Sequence, residues 1–188
     1  MIFAIGFWSF FDVVSYRLIW AWFMLSAFYM TAFLFHEFGH RQVALHFGLQ
    51  TKFRLLTYGM LMTLITLGRM ALPGAVVVLG LDKISRKTGL CKAAGPLVNL
   101  VYGSILLIIS YMLPTALYPL NYFIGYGAQF NFMLGLFNMI PVGILDGQNI
   151  WKWNKKVYIS LIIPLAVLLV ITLISISAPV GSNPYIPI

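Results

Sequence analysis

The chain has 188 residues, 61% of them hydrophobic and 9% charged, with 12 Lys and Arg against four Asp and Glu. Soluble domains carry about 25% charged residues, so this composition, with a mean hydropathy of +0.94, excludes a soluble globular domain and predicts an all-α polytopic membrane protein. The net charge of +8 does not indicate a nucleic-acid partner, because the basic residues fall in short gaps between apolar runs, as in the cytoplasmic loops of a membrane protein.

In chain order, residues 1–11 are apolar but too short to span a bilayer at 1.5 Å per residue. Residues 18–48 form the first convincing span, with Gly48 as its stop. A second apolar run, 55–81, is interrupted by Arg69 and by Pro73-Gly74, and its tail Ala75-Val76-Val77-Val78-Leu79 is rich in β-branched residues. That tail reads as a strand. Basic residues flank the run on both sides (Lys52 and Arg54, then Lys83, Arg86, Lys87 and Lys92). The run is therefore expected to enter and leave on one side, as a re-entrant strand or hairpin beside an internal cavity.

Residues 93–113 are the next span. An uncharged loop around Pro114–Pro119 follows, then a helix over 121–150 that ends in a Leu-Asp-Gly segment. Lys152, Lys155 and Lys156 alternate with Trp151 and Trp153 as interfacial anchors. Residues 157–177 are the last span, and the uncharged tail 178–188, with three Pro, is expected to be extended and frayed rather than folded back as a plug. The expected architecture is a single transmembrane domain over 1–188, with about five to six transmembrane segments. The basic loops 41–54, 82–92 and 152–156 mark the cytoplasmic side. His40 lies 12 residues before Lys52, which puts it about 10–18 Å below that surface.

The chemistry is concentrated in His36-Glu37-Phe38-Gly39-His40. Two His at i and i+4 share one helix face and suit a single zinc ion, and the adjacent Glu37 can take a proton from an attacking water. A Glu inside a membrane helix costs about 2.5 kcal/mol or more, so it needs a partner or a role. Glu37 is the only Glu in the chain, which excludes a distal Glu ligand. His46 has the spacing of a third His ligand, but Val43 stands where a turning Gly would be needed, so His46 is read as an interfacial residue. The single Cys91 excludes a multi-Cys site. Asp146 is the better candidate, because Pro141 and Gly143 would break the helix and aim its carboxylate inward. A turn Asp at the interface is the alternative. Asp12 lacks turn residues around it, and Asp82 lies among basic residues.

Three separated motifs resemble the site-2 protease family of zinc metalloproteases: His36–His40, Gly95-Pro96-Leu97-Val98-Asn99, and Phe137-Asn138-Met139-Ile140-Pro141 through Leu145-Asp146-Gly147. Pro73-Gly74-Ala75-Val76 resembles the strand-forming segment of compact archaeal members. The resemblance covers roughly residues 20–160. It implies one zinc ion per chain held by His36, His40 and Asp146, with Glu37 as general base. It also implies that Asn138 contacts the substrate backbone or the developing oxyanion, and that Asn99 lines the cavity with Pro73, Gly74, Ala75 and Val76. The implied activity is hydrolysis of peptide bonds within single-span transmembrane substrates, with the active site toward the cytoplasm. The family's PDZ and CBS modules are missing from the pattern. Two competing readings are a non-catalytic metal-binding membrane protein or transporter, and a helical scaffold without metal.

Overall fold

The computed structural model describes residues 19–55, 74–78, 84–143, 145–178 and 182–185. Its elements are α1 (Ile19–His46), β1 (Thr51–Leu55), β2 (Gly74–Val78), α2 (Arg86–Met112), a 3-10 turn (Thr115–Leu117), α3 (Leu120–Asn138), α4 (Asp146–Trp153) and α5 (Lys155–Ser177). Helix α1 ends where the sequence marks it. Gly48 has φ +70°, its N–H bonds the Leu45 carbonyl, and the Leu49 N–H bonds the Ala44 carbonyl. That pair of bonds closes the helix on its own last turn, which a residue with a Cβ would resist.

Strands β1 and β2 pair antiparallel, with Thr51 opposite Val78 and Leu55 opposite Gly74. The expected strand is therefore present. Residues 56–73, which would carry the re-entrant path and include Pro73, lie outside the described residues, as do 1–18 with Asp12 and 79–83 with Asp82.

Helix α2 starts seven residues earlier than its apolar run suggests. Ser85 caps it by accepting a hydrogen bond from the Thr88 N–H at 3.2 Å, so the basic stretch from Arg86 to Lys92 is the first two turns of the helix, not a loop. The helical segment expected over 121–150, with a break at Pro141 and Gly143, forms two helices. Helix α3 stops at Asn138, Gly143 takes φ +62°, and Asp146 opens α4. Pro141 and Gly143 account for the break.

Two helices, α2 with 27 residues and α5 with 23, are long and apolar enough to cross a membrane. At about 40 Å and 34 Å they exceed the roughly 30 Å hydrocarbon core. The expected five to six segments are not reached among the described residues. The core lies between α2, α3, α4 and α5, around Leu106, Leu107, Phe132, Ile150, Leu161 and Leu165. Polar residues are found inside as well: Asn99, Asn121, Asn131 and Thr172 are fully buried. The outer faces are apolar, with Ile105, Ile108 and Met112 exposed on α2 and Ile163, Val167 and Ile174 on α5.

The bundle has two distinct ends. At one end, Lys87 lies 5.8 Å over the Phe47 ring, Lys155 lies 4.9 Å over Trp151, and Gly89 faces the Trp153 indole closely. The C-terminus of α1 and the N-termini of α2 and α5 therefore meet in a basic collar. At the other end, residues 182–185 of the tail are docked rather than frayed. Tyr185 is fully buried, stacks on Tyr111, shares a hydrogen bond with Ser110, and accepts a bond from Asn121 through its backbone carbonyl. Asn183 is buried beside it and donates to the Ala178 carbonyl at 3.1 Å.

Candidate metal centre

His36 and His40 lie one helical turn apart on α1, both buried, and Asp146 is delivered to them by the break between α3 and α4. The three form the metal-capable cluster among the described residues. His36 Nε2 and His40 Nε2 are 3.1 Å apart, and Asp146 Oδ2 is 3.2 Å from the first and 3.0 Å from the second.

The tautomers follow from the partners of the other ring nitrogens. His40 Nδ1 is 2.6 Å from the Cys91 backbone carbonyl, which can only accept, so Nδ1 carries the proton. His36 Nδ1 is 2.6 Å from Asn99 Oδ1. The Asn99 amide cannot be turned round, because its Nδ2 donates to the Ala32 carbonyl at 3.1 Å and to Asn131 Oδ1 at 3.0 Å. His36 Nδ1 therefore donates as well. Two imidazole lone pairs and a carboxylate oxygen then point at one another, an arrangement that repels unless a cation lies among them. The edges of this triangle are close to the roughly 3.3 Å expected between tetrahedral ligands with bonds of about 2.0 Å. The donor set and its spacing fit zinc.

Glycines set the closeness of the packing. A Cβ on Gly95 would lie 2.5 Å from His40 Nε2 and 2.6 Å from His36 Nε2, so the α2 backbone must run bare against both rings. A Cβ on Gly39 would meet Val98 at 2.9 Å and the Ala94 carbonyl at 3.0 Å. A Cβ on Gly147 would run into the Met139 carbonyl. The Gly of each sequence motif thus has a steric reason.

The other expected site residues are placed as follows. Glu37 is buried on α1 next to His36. Asn99 is 0% exposed and orients His36, so it holds a ligand from behind rather than lining a cavity. Asn138 is half-buried at the end of α3 and donates to the Leu134 carbonyl at 3.0 Å. Gly74, Ala75 and Val76 lie in β2, and Pro73 falls outside the described residues. His46 is exposed at the end of α1, against Phe47, away from the cluster.

Three partners were not legible as site residues: Lys92, whose Nζ is 3.1 Å from Asp146 Oδ1; the Cys91 carbonyl; and Asn131, which supports Asn99 and donates to the Gly127 carbonyl at 2.9 Å. The Ser85 cap was the available signal that Lys92 belongs to a helix.

The chain is 31% identical over 140 residues to a Methanocaldococcus jannaschii protein named "Putative zinc metalloprotease", covering 72% of each chain. It is 32% identical over 134 residues to a second protein of the same organism named "Zinc metalloprotease", covering 70% of this chain and 34% of that one. No family model and no solved structure matches the chain.

Proposed function

The chain belongs to the site-2 protease family of zinc metalloproteases, and from that premise we propose that it hydrolyses peptide bonds of transmembrane substrates within the bilayer. The reading is carried by the convergence of His36, His40 and Asp146 lone pairs beside Glu37, in a bundle whose outer faces are apolar. Apolar side chains outside and Asn, Gln and Thr inside suit lipid as the surrounding solvent. The basic collar at the site end supports a cytoplasmic orientation for that end.

His36, His40 and Asp146 would hold one zinc ion per chain. When bound, zinc supplies Lewis acidity toward the scissile carbonyl and toward the attacking water. Glu37 takes the water's proton and returns it to the leaving amine. Asn138, the last residue of α3, would contact the substrate backbone or the developing oxyanion. A substrate helix hides its carbonyls in i→i−4 bonds and must unwind before attack; β2, with Gly74, Ala75 and Val76, offers backbone for the unwound segment. The substrates are single-span membrane proteins.

A non-catalytic metal carrier would need the ligands but not Glu37. The test is metal analysis of the purified protein together with cleavage of a transmembrane substrate by the parent and by Glu37→Gln. The expected result is equal zinc content and a loss of cleavage of about 10²–10⁴-fold in the variant. Equal cleavage by both proteins overturns the proposal.

A further inference from the structure

Every proposed zinc ligand is held in place by α2, a helix that contributes no ligand itself. The Cys91 carbonyl accepts from His40, Asn99 accepts from His36, and bare Gly95 makes room for both rings. The third ligand is held by Lys92, whose Nζ is 3.1 Å from Asp146 Oδ1 while Oδ2 faces the two His nitrogens. Resting on the zinc reading above, the geometry points to Lys92 as the positioning residue that limits Asp146 to one metal-binding oxygen.

A carboxylate beside a divalent ion can bind through one oxygen or close on it with both. Closing with both fills a coordination position that a hydrolytic site needs for water and substrate. The two oxygens of Asp146 are already divided, Oδ2 toward the metal cluster and Oδ1 toward an ammonium. An ammonium has three donors and no acceptor, so it competes with the metal for Oδ1 without ever becoming a ligand while charged. Lys92 is suited to this by its exposure. Its side chain is 28% exposed and that of Asp146 only 6%, so the cation keeps contact with the outside while it holds a carboxylate within. No neutral donor would both balance the buried carboxylate and pull on one of its oxygens.

The test uses the full-length protein in detergent, with cobalt as the metal probe, and compares the parent with Lys92→Met and Lys92→Arg. The parent is expected to bind one cobalt with the intense visible band of a four-coordinate ion. Lys92→Met is expected to bind about 10–100-fold more weakly in chelator competition. Its band should weaken as Asp146 closes on the metal with both oxygens and raises the coordination number. Lys92→Arg should restore affinity and band together. Unchanged affinity and band in Lys92→Met overturn the proposal. A loss of affinity with an unchanged band also overturns it, because Lys92 then orients Asp146 without limiting it to one oxygen. If Lys92→Met does not fold, Lys92→Leu, which likewise has neither charge nor donor, carries the same comparison. A parent that binds no cobalt at all overturns the zinc reading itself, and that outcome is separate from the others.

Discussion

Asn99 and His36 are joined across two helices by a 2.6 Å hydrogen bond from the ring Nδ1 to the amide Oδ1, and the rest of the amide is committed to Ala32 and Asn131. The ring therefore has one tautomer and one orientation. Replacing Asn99 with Ala removes both constraints and leaves Asn131 without its partner. The expected outcome is a loss of zinc affinity of about 10–100-fold, read by competition with a chelator. The smaller effect should be on helix content, which circular dichroism would follow.

Gly95→Ala separates stability from metal binding. In a helix interior, Ala is favoured over Gly by about 0.5–1 kcal/mol. Here the added methyl would lie 2.5 Å from His40 Nε2, in the region the metal needs. The two rings cannot swing away freely, since each is tied through Nδ1. The variant should keep its helices and lose stoichiometric zinc. Normal zinc content in Gly95→Ala would show that α1 and α2 are less closely packed than described.

His46 and Asp146 give opposite results if the ligand set is right. His46→Ala removes an exposed ring at the end of α1 and should leave zinc content unchanged. Asp146→Ala removes a ligand and leaves Lys92 without its partner, so zinc should be lost. Metal analysis of the two purified variants decides between them.

Tyr185 predicts an alkaline weakness at the far end of the bundle. Burial, reinforced by neighbouring Tyr111 and opposed by the Ser110 hydrogen bond, pushes its phenol from 10.0 up to about 12. The fold thus favours the neutral form, so docking is fully stabilising below pH 10.0 and is lost as pH rises through about 12. Melting temperature should fall across that window. Tyr185→Phe, which deletes only the hydroxyl, should cost about 1 kcal/mol at neutral pH and flatten the pH dependence. Tyr185→Ala should cost about 3–5 kcal/mol. Neither change should alter zinc content, because Ser110 lies 11 residues beyond Asn99 on α2, about 16 Å along its axis.

What the sequence made legible was local. The two His and Glu37 need only helical periodicity, and the stop at Gly48 and the break at Pro141 and Gly143 need only backbone preference. Asp146 followed from the scarcity of carboxylates. The support behind the ligands was not legible. The acceptor for His40 is the backbone carbonyl of Cys91, and a carbonyl carries no residue identity. Lys92 was counted among the basic residues of a loop, although Ser85 starts a helix beneath it. Asn99 was visible in its motif, yet only the three-dimensional path of α2 turns it toward a ring instead of a cavity. The docking of Tyr185 depends on Ser110 and Asn121, 75 and 64 residues away, and nothing in the Pro-rich tail itself announces it.

The contact of Gly147 with the Met139 carbonyl bears on which ions the chain can accept. With no room for even a methyl group there, the start of α4 cannot slide along the end of α3. Asp146 is thereby held at a fixed separation from two rings that are themselves pinned. A triangle with edges of 3.0–3.2 Å admits an ion with short bonds. Calcium demands six to eight oxygens, whereas this cluster offers two imidazole nitrogens and one carboxylate between walls made of backbone. The close approach at Gly95 and Gly147 also leaves little space around the three donors, so crowding adds to what the donor types already favour.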